Sequence, residues 1–349
     1  MHLRLASFRC SPCAVLLCLA VIEIGTAEHL RTANSSASSA QDAKESSERV
    51  RFVREFSSAD DVGREQHPIF DRSLDIVAGP AESHATNDKL VAPYSVATDS
   101  MRRVFVADPD AGVVHVFDFE QSKYSVLKGP GRLPSGIAID SDGTAYVTDT
   151  ALDAVLVYDS RGRFRRYLGQ VEGGETYFQA PVGIAIDAAT GHIYVCDSRR
   201  HMILMLDKKA HILGHFGRRW GGKGPGDFRY PSRIVIAGDE LFVLDAGNSR
   251  LQVLDLSGHF RREIKLPEVS ADDGLALDKE KNIYVTDVQL NVINVLNRDG
   301  QFLYKFGRSG AKPGEFSEPS GLWIESENRL YVADAKNHRV QLFQIEEKR

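Results

Sequence analysis

Gly136-Ile-Ala-Ile-Asp140-Ser-Asp-Gly143-Thr-Ala145-Tyr-Val-Thr-Asp149 reads as a short apolar strand, a tight turn and a returning strand that ends on an aspartate. The Asp142-Gly143 pair tolerates the positive φ angles that such a hairpin turn needs. The chain turns again between Asp149 and Asp153, continues in Ala154-Val-Leu-Val-Tyr158, and turns once more at Asp159-Ser-Arg-Gly162. It closes with the alternating run Arg163-Phe-Arg-Arg-Tyr-Leu168. Continuous apolar runs inside and an alternating run outside describe a four-stranded sheet whose inner strands are covered on both faces.

The same unit recurs six times between Ala92 and Arg349. Its marker is the aspartate that closes the second strand: Asp108, Asp149, Asp197, Asp245, Asp287 and Asp334, spaced 41, 48, 48, 42 and 47 residues apart. A β-rich period of that length is the signature of propeller blades. First strands open at Pro93, Pro134, Pro181, Pro231 and Pro319, and the fifth copy departs with Asp272 in place of proline. Fourth strands end at Gly169, Gly217 and Gly307, where glycine lets the chain leave the sheet.

The sixth copy stops after its third strand. A blade left with three strands exposes an edge, so the missing strand is expected from the amino-terminal side, where it also closes the ring. Val50-Arg-Phe-Val-Arg-Glu-Phe56 is the first choice, with Leu74 to Ala78 as the alternative. The stretch from Pro68 to Val77 reads as a short amphipathic helix.

The turns Asp245-Ala-Gly-Asn-Ser-Arg250 and Asp334-Ala-Lys-Asn337-His338-Arg339 resemble those of the NHL repeat. The loops Gly222-Lys-Gly-Pro225-Gly226-Asp-Phe228 and Lys312-Pro-Gly314-Glu-Phe316 are similar to the connectors between blades in that family. The resemblance spans residues 92–349 and implies an all-β, six-bladed propeller of four-stranded blades. The Asn and Arg of the turn are absent from copies one, two, three and five.

Residues 1–27 carry Arg4 and Arg9, then the apolar run Ala14-Val-Leu-Leu-Cys-Leu-Ala-Val-Ile22, then Gly25-Thr-Ala27, the three-part pattern of a secretory signal. Residues 28–49 read as a flexible linker, 50–91 as the ring-closing strand with the short helix, and 92–349 as the propeller. The apolar run is too short for a membrane span. Cleavage after Ala27 would remove three of the four cysteines, leaving Cys196 as a small core residue. The net charge of −5 becomes −6 on loss of Arg4, Arg9 and Glu23, which argues against nucleic acid as a partner. A secreted or periplasmic monomer is expected.

Strand parity locates a functional face. If first strands run down, second and fourth strands run up, so the aspartate turns and the long connectors between blades share one rim. The short hairpins occupy the other. Long loops on a rigid frame are where binding sites usually lie. On that rim the third and fourth copies gather Arg199, Arg200, His201, Arg218, Arg219, Lys223, Arg229, Arg233 and Arg250 in a chain that is otherwise acidic. Guanidinium forks suit carboxylate or phosphate. Arg233 stands out, because it replaces the glycine found at Gly136, Gly183, Gly274 and Gly321, near the channel mouth. The competing reading is a solvated loop cluster in which Arg250 pairs with Asp245 as a turn clamp.

Gly217-Arg-Arg-Trp-Gly-Gly222-Lys223-Gly224 falls short of a nucleotide-binding P-loop, since no helix follows and glycine stands where Ser or Thr must hold magnesium. His201 and His338 occupy equivalent turns on opposite sides of the ring, which is too few ligands for zinc. Asp272 and Asp273, at the fifth channel mouth, are the candidate cation ligands, for calcium or zinc; otherwise no cofactor is expected.

These features point to a secreted binding or scaffolding module that holds a protein, a peptide or an anionic envelope polymer on its loop-rich face. No catalytic residue and no enzymatic activity are expected. The alternative, drawn from relatives of the fold, is a metal-dependent lyase or lactonase with its site in the central channel.

Overall fold

The computed structural model of the chain describes residues 49–63, 88–169, 176–266 and 274–346. Within them the strands make six four-stranded sheets. The stretch quoted first folds as it reads: Pro134–Ile139 pairs with Ala145–Asp149, that strand with Ala154–Tyr158, and that one with Phe164–Leu168, all antiparallel. Each inner strand packs against the inner strands of the two neighbouring sheets, and the succession returns from Pro319–Ile324 to Ser95–Thr98. The result is a closed six-bladed propeller.

The core follows from that arrangement. Every apolar cluster straddles two adjacent blades. Val147 and Leu156 of blade two meet Phe105 and Val116 of blade one, and Val155 and Val157 meet Ile193, Val195 and Leu204 of blade three. An inner strand is therefore buried on both faces, which explains runs such as Ile193–Asp197, buried throughout. Outer strands are more exposed: Lys123–Val126 alternates, whereas Phe164–Leu168, expected to alternate, is interrupted by a register shift and leaves Arg165 and Arg166 both exposed.

Val50–Phe56 supplies the outermost strand of the last blade, pairing antiparallel with Arg339–Ile345 from Val50 opposite Ile345 to Phe56 opposite Val340. The expected closing strand is thus in place. The alternative strand at Leu74, the helix from Pro68, the signal segment and most of the linker lie outside the described residues. Phe56 is buried between blades, its ring 4.8 Å from that of Phe117 and 5.1 Å from that of Phe119.

Strand entries and exits bear the marks read from the sequence. Four first strands begin on proline, Pro134, Pro181, Pro231 and Pro319. The first starts at Ser95, two residues after Pro93, and the fifth is reduced to Leu275–Leu277. Gly169 has φ +91°, and a Cβ there would come within 2.4 Å of the ring of Phe178, the fully buried aromatic of the following connector. Gly307 and Phe316 repeat that geometry. No helix among the described residues is long and apolar enough to cross a membrane.

Candidate functional site

The NHL-like turns are short 3-10 helices, Ala246–Asn248 in blade four and Ala335–Asn337 in blade six, each ending on a left-handed residue, Ser249 and His338. Blade three makes the same turn with Ser198–Arg200 and a left-handed His201, although it lacks the Asn and the Arg. The backbone route belongs to the repeat; the side chains decide how firmly the adjoining connector is held.

In blade four Asp245, fully buried, is the hub. It accepts from Arg250 Nε at 2.8 Å, from Asn248 Nδ2 at 2.8 Å and from the Arg229 amide at 2.6 Å. Arg250 also donates to the carbonyls of Lys223, Gly224 and Asp227 and to the Glu263 carboxylate. Blade six repeats the lattice with Arg339 on Asp334, on the carbonyls of Ala311, Lys312 and Glu315, and on Glu55 of the closing strand. Arg250 is therefore a structural clamp, as its pairing with Asp245 suggested. It fixes the 218–230 connector as a built surface.

That connector carries four of the nine candidate residues. Arg219, Lys223 and Arg229 are exposed on it, and Arg218, also exposed, pairs with Asp227 at 2.7 Å. The guanidinium of Arg219 lies 5.7 Å from the ring centre of Trp220, which is 88% exposed and was not singled out in the sequence. Arg199 is exposed on the neighbouring turn, while Arg200 turns inward to the carbonyl of Tyr177 and lies 3.7 Å from Asp197. His201 ties turn to connector. Its Nδ1 accepts from the Tyr230 amide at 3.0 Å and its ring meets that of Tyr230 edge-on.

Arg233 is set apart from this rim, inside the ring. It is 7% exposed, and its guanidinium crosses the channel from blade four to Tyr94 of blade one, the blade diametrically opposite. The guanidinium carbon sits 4.3 Å from the Tyr94 ring centre, and Nη2 reaches the Tyr94 carbonyl at 3.4 Å. Nη1 is buried with no hydrogen-bond partner among the described residues, and so is the Oγ of the preceding Ser232. Arg233 makes no ion pair among the described residues. Tyr94 carried one signal in the sequence: it is the only aromatic at a position held elsewhere by Ser135, Val182, Ser232, Asp273 and Ser320.

Two buried groups near the site differ in electrostatics. Burial pushes the Asp197 carboxyl up to about 7, with the Gln179 amide and Arg200 offsetting only part of the cost. Burial also pushes the Cys196 thiol up, which keeps it protonated and inert.

As to metals, Asp272 and Asp273 lie outside the described residues. His201 and His338 are each engaged with backbone, His338 through Nδ1 on the carbonyl of Val91. Among the described residues no three His, Cys, Asp or Glu side chains gather as ligands. The channel-metal alternative is not favoured.

A family model described as "6-bladed beta-propeller" matches residues 274–348, and one described as "NHL repeat" matches residues 178–204. The peptidyl-glycine alpha-amidating monooxygenase of Mus musculus is 25% identical over 258 residues, 66% of this chain and 26% of that protein. The E3 ubiquitin-protein ligase NHLRC1 of Rattus norvegicus is 22% identical over 269 residues, 72% of this chain and 64% of that protein. The chain thus spans about a quarter of the monooxygenase. Among solved structures, virginiamycin B lyase from Staphylococcus aureus aligns with a TM-score of 0.54 at 17% identity, covering 73% of this chain and 96% of that one, a likeness of fold. These names correct one expectation. No enzymatic activity is expected from the sequence, yet the monooxygenase and the ubiquitin ligase among the sequence relatives are named as enzymes. A propeller frame hosts catalysis and binding alike, and composition does not separate the two.

Proposed function

We propose that this six-bladed β-propeller, which carries an NHL repeat at residues 178–204, is an exported recognition protein whose loop-rich face takes an anionic group of a peptide or protein into the channel end, onto Arg233. The observation that carries the reading is the buried Arg233 guanidinium whose Nη1 has no partner among the described residues. A buried charge without a counter-charge is costly, and a bound carboxylate would supply both the charge and the missing acceptor. On the loop-rich face the clamped connector offers Arg219, Lys223 and Arg229 for steering and Trp220 and Tyr230 for contact. Two relatives act on polypeptides by name, on peptidyl-glycine and as a ubiquitin-protein ligase. The pattern of residues 1–27 supports export. The reading concerns recognition, a step that a reaction on the same face would share.

The test uses immobilised protein and a pool of random pentapeptides, offered once as free acids and once with amidated ends. Retention of the free acids should exceed that of the amides, and Arg233→Met should lower it about 10- to 100-fold, the worth of hydrogen bonds to a charged group. Equal retention of both pools, or indifference to R233M, would refute the reading.

A further inference from the structure

Below Arg233 the channel widens into a cavity of about 440 Å³ that opens toward the short hairpins, the face opposite the proposed peptide site. Its walls follow from one layer of the repeat. The last residue of each inner strand is Ile139, Ile186, Leu277 or Ile324 in blades two, three, five and six, with Ile236 at the matching place in blade four; all five line the cavity and are only half-buried. The position before it is small in most blades, Ala97, Ala138, Ala185 and Ala276, but is Trp323 in blade six. The indole of Trp323 donates to Thr98 Oγ1 at 2.8 Å, which engages the one hydroxyl at that layer and covers the blade-one wall. Polar side chains share the lining with this layer: Asp278, Lys279, Lys281, Glu325 and Ser326 follow the inner strands in blades five and six.

We infer that this cavity is a binding site for a small aliphatic molecule, separate from the site on the loop-rich face. Water held against the side chains of Ile139, Ile186, Ile236, Leu277 and Ile324 gains no hydrogen bond from them, whereas an aliphatic guest packs on that layer. The volume falls in the range of small-molecule pockets. The guest is a hydrocarbon chain or ring lying against Ile186, Ile236, Leu277 and Trp323.

The chain has two tryptophans, Trp220 exposed on the rim and Trp323 in the cavity, so Trp220→Phe leaves a single reporter at the site. The full protein carrying W220F is titrated with straight-chain alcohols from hexanol to decanol while Trp323 fluorescence is followed. A saturable change is expected, with affinity rising about fourfold per methylene. Adding Ala185→Phe, which places an aromatic ring where blade six already holds Trp323, should abolish it at an unchanged melting temperature. If A185F fails to fold, Leu277→Phe is to give the same loss. No saturable signal up to the solubility of decanol, or binding that survives the filled cavity in a folded variant, would overturn the inference.

Discussion

At the scale of single residues, the weight of the account rests on Arg233. A guanidinium that is 7% exposed and has no ion pair among the described residues is held chiefly by its stack on Tyr94. Such a stack contributes about 2 kcal/mol when desolvated, while burying a charge without a partner costs several kcal/mol. Stability alone would favour an apolar side chain of the same length. Arg233→Met should therefore melt no lower than the parent protein, and about 1–2 kcal/mol of added stability is expected from calorimetry. A large loss of stability would make Arg233 a structural strut and remove it from the recognition site. Asp197 gives a second residue-scale expectation. Its folded carboxyl is raised to about 7, well above the unfolded value, so the folded chain holds the proton more tightly between about pH 4 and pH 7. The stability this confers is complete below pH 4 and is lost as pH rises through 7. Asp197→Asn should remove that slope, leaving the variant more stable than the parent at pH 8 by a few kcal/mol at most. Melting curves at pH 5 and pH 8 decide it, and a parent protein that gains stability across that interval would contradict the assignment.

At the scale of elements, the repeat makes one turn and equips it differently in each blade. Blades four and six carry the full lattice of Asp, Asn, Arg and Gln, with Gln252 and Gln341 reaching both the connector and the hub carboxylate. Blade one substitutes His115, whose Nε2 lies 3.6 Å from Asp108 and whose Nδ1 meets Tyr124 at 2.8 Å. Burial works to raise the Asp108 carboxyl, but His115 and the amides of Val91, Ala92 and Ala111 outweigh it and hold it below the usual range. Because Arg250 joins one carboxylate hub to three connector carbonyls, Arg250→Ala should cost about 3–5 kcal/mol and speed amide exchange selectively across 218–230. Arg250→Lys, a point charge without the fork, should recover little of it. Exchange spread evenly over the chain would show that the connector does not depend on the clamp. The pairing of Arg250 with Asp245 was legible because both residues recur at fixed spacing in blade six. The His115 variant was not, since histidine in a β-run carries no spacing signal and its partner Tyr124 belongs to the fourth strand, where the sequence pattern is weakest.

At the scale of the whole molecule, the propeller is a ring that must be latched. The latch is the strand Val50–Phe56, held by its ladder to Arg339–Ile345, by Phe56 between blades and by the Glu55 contact to Arg339. Removing residues 1–57 exposes the edge of Arg339–Ile345 along its length, so the shortened chain should aggregate and lose its single cooperative melt, read by size-exclusion chromatography and circular dichroism. A monomer with an unchanged melt would mean that the ring closes without the latch. Blade count, inner-strand entries and the face bearing the connectors were legible, because a repeat displays the same physical constraint six times. The partner of Arg233 was hidden for the opposite reason. Tyr94 lies 139 residues away and meets Arg233 only once six blades close around an axis, so no local pattern records the contact. The central claim, that this guanidinium receives the acidic group of a polypeptide, is tested most directly by following the Arg233 guanidinium nitrogens by NMR, assigned through R233M, as a free-acid pentapeptide pool is added. The Arg233 signals should shift in a saturable manner with the free acids and stay still with the amidated pool; shifts confined to Arg219, Lys223 and Arg229 would contradict it.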